Sequence, residues 1–184
     1  MCATLSKETV VLRQSPWGSS HAKTVASMAL QCLVLAFIAV AFFVRSPQVS
    51  GLSMSPLIAS GEVVVINTAS YKFGSVSRGD IVAFTHDRGA PIVYLKRIVG
   101  MPGETVEVKN GFVYVDGRQL PETYVRYRDD RSVPAMTLPA GQYYVLGDNR
   151  TNSDDSRDWG GVSSSEMIGK AVIGIWPPSH LGLL

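Results

Sequence analysis

The sequence predicts a mostly β fold, an antiparallel barrel or sandwich, behind one N-terminal transmembrane helix. Residues 25–44 form an apolar run without charge or proline. Short β-branched runs follow it, separated by Gly and Pro, and no later stretch has a long helical period. We therefore expect a cytoplasmic tail over residues 1–24, a transmembrane anchor over residues 25–44 and an extracytoplasmic β-rich domain over residues 46–184.

The N-terminal tail is polar and mildly basic, and we expect it to be poorly ordered. At 1.5 Å per residue, the apolar run that follows it spans roughly 30 Å, the hydrocarbon thickness of a bilayer. More positive charge precedes this run than immediately follows it. The N-terminus is therefore predicted to be cytoplasmic, in a single-pass protein of the plasma membrane.

Two other readings of the apolar run remain open. A cleaved secretory signal would carry a small-x-small site, and Ala39-Val40-Ala41 is such a site, although the apolar run continues to Val44. A buried helix of a globular domain would normally present a polar face, and this run offers only Gln31. Retention as an anchor is the favoured reading.

Strands are predicted wherever short apolar runs lie between turn residues. The clearest case is a hairpin over residues 105–108 and 112–115, in which Asn110-Gly111 supplies the positive-φ turn. The other predicted strands cover residues 62–67, 80–85, 142–146 and 171–176.

Composition excludes several classes of function. The formal net charge is +2, and the tail accounts for all of it, so the domain lacks the basic excess of a nucleic-acid binder. Neither Cys2 nor Cys32 lies in the domain, so it has no disulfide framework and no thiolate metal site. No cofactor motif is visible. A calcium loop starting at Asp148 fails, because Arg150 and Trp159 stand where carboxylates are needed.

A nucleophilic serine could be activated by a histidine or by a neutral lysine. Only His86 and His180 lie in the domain, and a loop histidine is usually solvated. A free lysine has a pKa near ~10.4, and burial among apolar side chains lowers it towards neutrality. Lys96, inside the apolar stretch 91–100, fits this requirement. Strand alternation puts either Lys96 or Arg97 inward and does not decide which.

The candidate serine is Ser53, in a loop that begins soon after the anchor. Extended chain of that length reaches at most about 30 Å, so we expect this loop near the membrane surface. By itself the loop is more typical of an ordinary Gly/Ser/Pro linker. A third candidate region is the polar run 147–158, which follows a strand and could orient a buried lysine and hold the loop with a carboxylate–arginine pair.

Four motifs follow one another along the chain: SMSP at residues 53–56, RGDIV at 78–82, YLKRIVGMPGE at 94–104, and GDNR at 147–150 continued by SDDSR at 153–157. Each motif is weak alone. Taken together and in order, they resemble the type I signal peptidase (leader peptidase) family of membrane-bound Ser/Lys endopeptidases, and the resemblance covers roughly residues 25–175.

The resemblance implies a role for each matching residue. Ser53 would be the nucleophile, Lys96 the general base, and Ser153 the hydroxyl that orients the lysine. Asp155 and Arg157 would form a supporting ion pair. The apolar side chains packed around the lysine would be Met54, Phe84, Tyr94 and Val145. The substrate pocket would be lined by Met54, Tyr94 and Leu95.

One departure from the family pattern concerns the oxyanion hole. Some relatives carry a serine two residues before the nucleophile, and this chain has Gly51 there, as other relatives do. The Ser53 N–H remains an expected donor, and the second donor is unassigned. The implied substrates are preproteins whose signal peptides end in small residues, and the implied surroundings are a lipid bilayer, with no nucleic acid and no metal.

Two alternatives from other classes accompany this reading. A self-cleaving Ser/Lys repressor-type peptidase would need an N-terminal helix-turn-helix, and residues 1–45 offer only a tail and an apolar run. A catalytically silent, membrane-anchored β module would keep the fold for protein binding without needing the dyad.

Overall fold

The computed structural model describes residues 17–87 and 91–184, and the chain divides into two compact units, residues 1–42 and 43–184. The first unit contains helix α1, Trp17–Phe43. Within it, His21–Phe43 is long and apolar enough to cross a membrane. Residues 17–24, expected to be poorly ordered, are helical, because extending an existing helix gains a hydrogen bond for each residue fixed. Residues 1–16 lie outside the described part.

The regular secondary structure of the second unit consists mostly of strands. Its strands are β1 Val44–Arg45, β2 Val63–Asn67, β3 Ile81–Asp87, β4 Pro91–Gly100, β5 Thr105–Lys109, β6 Phe112–Val115, β7 Arg118–Gln119, β8 Val133–Thr137, β9 Gln142–Leu146, β10 Val162–Ser163, β11 Met167–Trp176 and β12 Gly182–Leu183. Its helices are α2 Ser70–Phe73 and α3 Ser156–Trp159, with 3₁₀ turns at Arg150–Asn152, Ser164–Glu166 and Pro178–His180.

These strands form two antiparallel sheets. The larger has the order β1-β2-β11-β3-β4-β9-β10, with β12 added to β11, and the smaller has the order β7-β6-β5-β8. The predicted fold class, mostly antiparallel β behind one apolar helix, is confirmed. Strand β8 was not predicted, because Pro134 interrupts it. Proline is tolerated there since β8 lies at the edge of its sheet.

Strand β4 lies at the centre of the larger sheet and carries the candidate lysine. Val82 of β3 is opposite Lys96, and Leu146 of β9 is opposite Arg97. Consecutive residues of a strand point to opposite faces, yet Lys96 is 3% exposed and Arg97 is 9% exposed. Both faces of β4 are therefore covered at these two positions, and the expectation that only one of the two side chains points inward is corrected.

Candidate active site

The side chains of Ser53 and Lys96 meet in the structure. Lys96 Nζ lies 2.8 Å from Ser53 Oγ, although the two residues are 43 positions apart in the sequence. Lys96 is held by the paired strand β4. Ser53 belongs to a turn that is fixed from both sides by the buried side chain of Met54 and by the Asn149 N–H, which donates to the Ser53 carbonyl oxygen at 2.9 Å.

Burial lowers the pKa of Lys96 and so makes its amine able to act as a base. Desolvation lowers the pKa of Lys96 from 10.5 to about 8, and the carboxylates of Asp155 and Asp154 oppose that shift while Arg157 adds to it. The ring of Tyr94 lies 5.6 Å from Nζ, and Phe84 stacks on Tyr94 at a ring distance of 5.7 Å. A substantial fraction of Lys96 is therefore neutral slightly above neutral pH.

The loop that follows β9 approaches the back of the pair. At Gly147 a Cβ atom would lie 2.5 Å from the Ser53 carbonyl oxygen, so only glycine allows this approach. The Gly147 N–H donates to the Asp155 carboxylate at 3.1 Å. Asp155 also caps α3, accepting from the Arg157 N–H, while the Asp155 N–H is bonded to Asp158. The loop is therefore anchored to the same backbone that carries the candidate nucleophile.

The predicted Asp155–Arg157 pair is present and fully buried. Arg157 Nε lies 2.7 Å from Asp155 Oδ1, and Nη2 lies 2.9 Å from Oδ2. Arg157 also binds Asp129 at 2.6 Å. Two anionic partners thus hold this guanidinium, and they tie the loop to the segment that precedes β8.

The Ser153 hydroxyl does not bind the lysine in this geometry. Its Oγ is buried and has no hydrogen-bond partner among the described residues. A Cβ on Gly147 would touch the same hydroxyl, which places Ser153 on the loop next to the serine–lysine pair. The orienting role that the resemblance implies for Ser153 remains a prediction.

Arg97 contributes a buried ion pair that the sequence did not assign. Its Nε and Nη2 bind the two carboxylate oxygens of Asp148 at 2.8 and 2.6 Å, and its guanidinium stacks 4.3 Å from the ring centre of Tyr124. Asp148 is fully buried. This bidentate pair joins β4, one residue after Lys96, to the loop that begins at Gly147.

Replacing Asp148 by alanine is expected to lower the free energy of unfolding by about 3–5 kcal/mol, because it leaves the buried Arg97 guanidinium without its anion. Chemical denaturation at pH 7 measures this change. The exposed Asp130→Ala variant, which removes an acidic residue elsewhere, should change stability by less than about 0.5 kcal/mol. Equal effects of the two variants would contradict the assignment.

A cleft of about 420 Å³ opens at the serine–lysine pair. The predicted pocket residues Met54, Tyr94 and Leu95 all line it. Ile92 and Val93, on the same rim, are 49% and 50% exposed. Within the described residues, β9 pairs with β4 only from Arg97 onward, so the first half of β4 leaves one backbone edge free beside the cleft.

The two histidines of the domain are bound elsewhere. His86 Nδ1 lies 2.8 Å from Glu166 and its ring packs on Trp159. His180 binds the buried Glu62. In the part of the chain that the structure describes, neither contacts Ser53, and the histidine-based triad therefore has no geometric support.

The fold and the cleft define a class of protein before any comparison. An antiparallel β domain that places a hydroxyl beside a buried amine, in a cleft with an exposed strand edge, has an arrangement suited to a peptide hydrolase. Residues 22–176 match the model of the family described as signal peptidase, peptidase S26.

Relatives agree with this match. A probable signal peptidase I-1 of Synechocystis sp. is 37% identical over 180 residues, covering 92% of this chain and 89% of the relative. A signal peptidase I of Leptolyngbya laminosa is 35% identical over 165 residues, covering 86% and 79%. A crystal structure of a signal peptidase I from Enterococcus faecalis shares 35% identity, with a TM-score of 0.47, over 52% of this chain and 96% of the other. The chain belongs to the signal peptidase family S26, and it is a peptide hydrolase.

Proposed function

We propose that this chain is a serine endopeptidase that removes N-terminal signal peptides from exported preproteins, using Ser53 and Lys96 as a catalytic dyad. The observation that carries the proposal is the 2.8 Å approach of Lys96 Nζ to Ser53 Oγ in a buried setting. A lysine with a pKa of about 8 can accept a proton that an ordinary lysine would not.

Acylation begins when Ser53 Oγ attacks the scissile carbonyl carbon while Lys96 Nζ accepts the hydroxyl proton. The tetrahedral intermediate collapses, the C–N bond breaks, and the lysine returns the proton to the leaving amine. Lys96 then takes a proton from water, which attacks the ester carbonyl. The acyl–oxygen bond breaks, Lys96 returns its proton to Ser53 Oγ, and the signal peptide leaves with a new C-terminal carboxylate.

The developing oxyanion needs hydrogen-bond donors in place before the reaction. The Ser53 N–H has no acceptor among the described residues, which leaves it available for this purpose. Gly51, in the left-handed region at φ 107°, has no side chain to donate. We therefore assign one oxyanion donor, the Ser53 amide.

The substrate is proposed to bind as an extended strand. The free edge of β4 offers unpaired N–H and C=O groups to such a segment, as in β-strand addition. Met54 and Leu95 would line shallow apolar pockets that admit the small side chains one and three positions before the cut, and Tyr94 would form part of the same wall.

Supporting roles are proposed for three residues behind the dyad. The Asp155–Arg157 pair would hold the loop that presents Ser153, and the Ser153 hydroxyl would bind Lys96 once the amine is neutral and aligned for proton transfer. That hydroxyl is buried and has no hydrogen-bond partner in the part of the chain that the structure describes, which supports this assignment.

The protein is proposed to be a single-pass protein of the plasma membrane. Residues 1–24 would form the cytoplasmic tail, residues 25–44 the span and residues 46–184 the extracytoplasmic peptidase domain. The charge bias around the apolar run supports this orientation. Anchoring the enzyme and its substrate in one bilayer would raise their effective concentration.

The pH dependence of preprotein cleavage tests the proposal. The full chain in detergent micelles should cut a preprotein after its signal peptide. Below pH 8, kcat/KM should rise about tenfold per pH unit and level off above it, because only neutral Lys96 acts as a base. A profile with its midpoint near pH ~6.5 would indicate a histidine instead, and the absence of cleavage across the range would contradict the function.

A further inference from the structure

A second cleft of about 390 Å³ continues the one at the dyad. Pro47, Ile66 and Val93 line both. The second cleft extends beyond them to Val44, Arg45 and Ile168, and it contains neither Ser53 nor Lys96. The two clefts therefore adjoin, with Ser53 and Lys96 in the first and Val44 in the second.

We propose that this second cleft binds the segment of the signal peptide that lies about five to seven residues upstream of the cleaved bond. This inference rests on the proposed function. On β4, Val93 precedes Lys96 by three residues, about 10 Å at roughly 3.3 Å per residue, so a peptide paired with this edge passes Val93 about three residues upstream of the cut. Residues one to three upstream therefore lie between Lys96 and Val93, and the residues beyond them would meet the part of the second cleft that Arg45 and Ile168 line.

The second cleft lies on the side of the dyad where the upstream part of a signal peptide would be expected. A signal peptide carries its apolar stretch upstream of the cut, on the side that would enter this cleft first. Val44 comes directly after Phe43, the last residue of the apolar helix. The two adjoining clefts thus include both the residue where this chain leaves its apolar helix and the candidate nucleophile.

The chemistry of the walls sets the preferred side chains. Ile66 is buried, Val93 is half exposed and Ile168 is partly buried, so the walls favour apolar groups. Arg45, which is exposed, is the single charged residue among those that line the second cleft. A cation in this segment of the substrate should be disfavoured, and an anion should be tolerated.

A charge-swap experiment tests the inference. Two preproteins that differ only in Glu or Lys six residues upstream of the cut are compared, and the ratio of their kcat/KM values is measured. The wild type should favour the Glu form by about fivefold, and Arg45→Glu should invert that ratio, as for a partly exposed charge pair. The ratio cancels any general loss of activity. Arg126→Glu, at another exposed arginine, should keep the wild-type ratio.

A second variant and a binding measurement complete the test. Ile168→Trp, which fills the cleft, should weaken binding of a peptide with seven upstream residues more than binding of one with three. The affinities of the enzyme for the Glu and Lys forms of the peptide are measured by fluorescence anisotropy. Because binding does not require cleavage, this measurement tests the cleft even if the proposed function is wrong. An unchanged Glu/Lys ratio in Arg45→Glu would overturn the inference. So would an equal shift when the charges are moved downstream of the cut.

Discussion

Replacing Lys96 by methionine should lower kcat/KM for preprotein cleavage by roughly 10⁴-fold or more, because removal of one member of a catalytic unit removes most of its effect. Methionine has a similar length and is uncharged, so it fills the same apolar space. Initial rates at a fixed pH of about 9, where the wild-type lysine is mostly neutral, measure the loss.

The same substitution should make the folded protein more stable at neutral pH. The pKa of Lys96 falls from 10.5 to about 8 on folding, so below pH 8 the protonated lysine costs the folded state up to about 3 kcal/mol. Between pH 8 and 10.5 the unfolded chain binds the extra proton, and wild-type stability rises with pH in that window. The methionine variant lacks this rise.

A matched control is Lys72→Met, at an exposed lysine outside the cleft. It should change neither kcat/KM nor the pH dependence of unfolding. If Lys96→Met retained cleavage within tenfold of the wild type, the lysine would not be the base. If it lost both activity and folded structure, the buried amine would have a structural role instead.

The sequence predicted the strands that position the site. The hairpin at Asn110-Gly111 and the apolar strand around Lys96 follow from local pattern, because turn chemistry and β-branched runs depend on near neighbours. The sequence also predicted that the 147–158 run holds a carboxylate–arginine pair. The sequence left open whether Lys96 or Arg97 faces the serine. Strand alternation places neighbouring side chains on opposite faces but does not tell which face lies towards the serine.

Long-range pairings explain what remained unpredicted. Arg97 is buried because Asp148, 51 positions away, accepts both of its donors. Glu122 and Arg150, both almost fully buried, form a second such pair. A charged side chain is predicted to be exposed unless its partner is known. Which residues become partners depends on the order of the strands in the sheet. The second cleft was missed for the same reason, since Arg45 and Ile168 are distant in sequence.

Replacing Ser53 by alanine should abolish both preprotein cleavage and covalent labelling of the enzyme. The change removes only the Oγ atom that lies 2.8 Å from Lys96 Nζ, so the neighbouring Met54 stays buried and the fold should persist. A residual rate roughly 10⁴-fold or more below the wild type is expected. Circular dichroism and the unfolding midpoint check that the loss is chemical.

Mass spectrometry after exposure to a serine-acylating β-lactam-type inhibitor separates this serine from its neighbours. The wild type should carry one adduct, on the peptide that contains Ser53, and Ser53→Ala should carry none. Ser55→Ala, in the same turn, should still be labelled at Ser53. The labelling rate should rise with pH up to about 8, because the same neutral lysine removes the proton. An adduct on Ser55 or Ser153 would identify that residue as the nucleophile and would contradict the Ser53–Lys96 dyad.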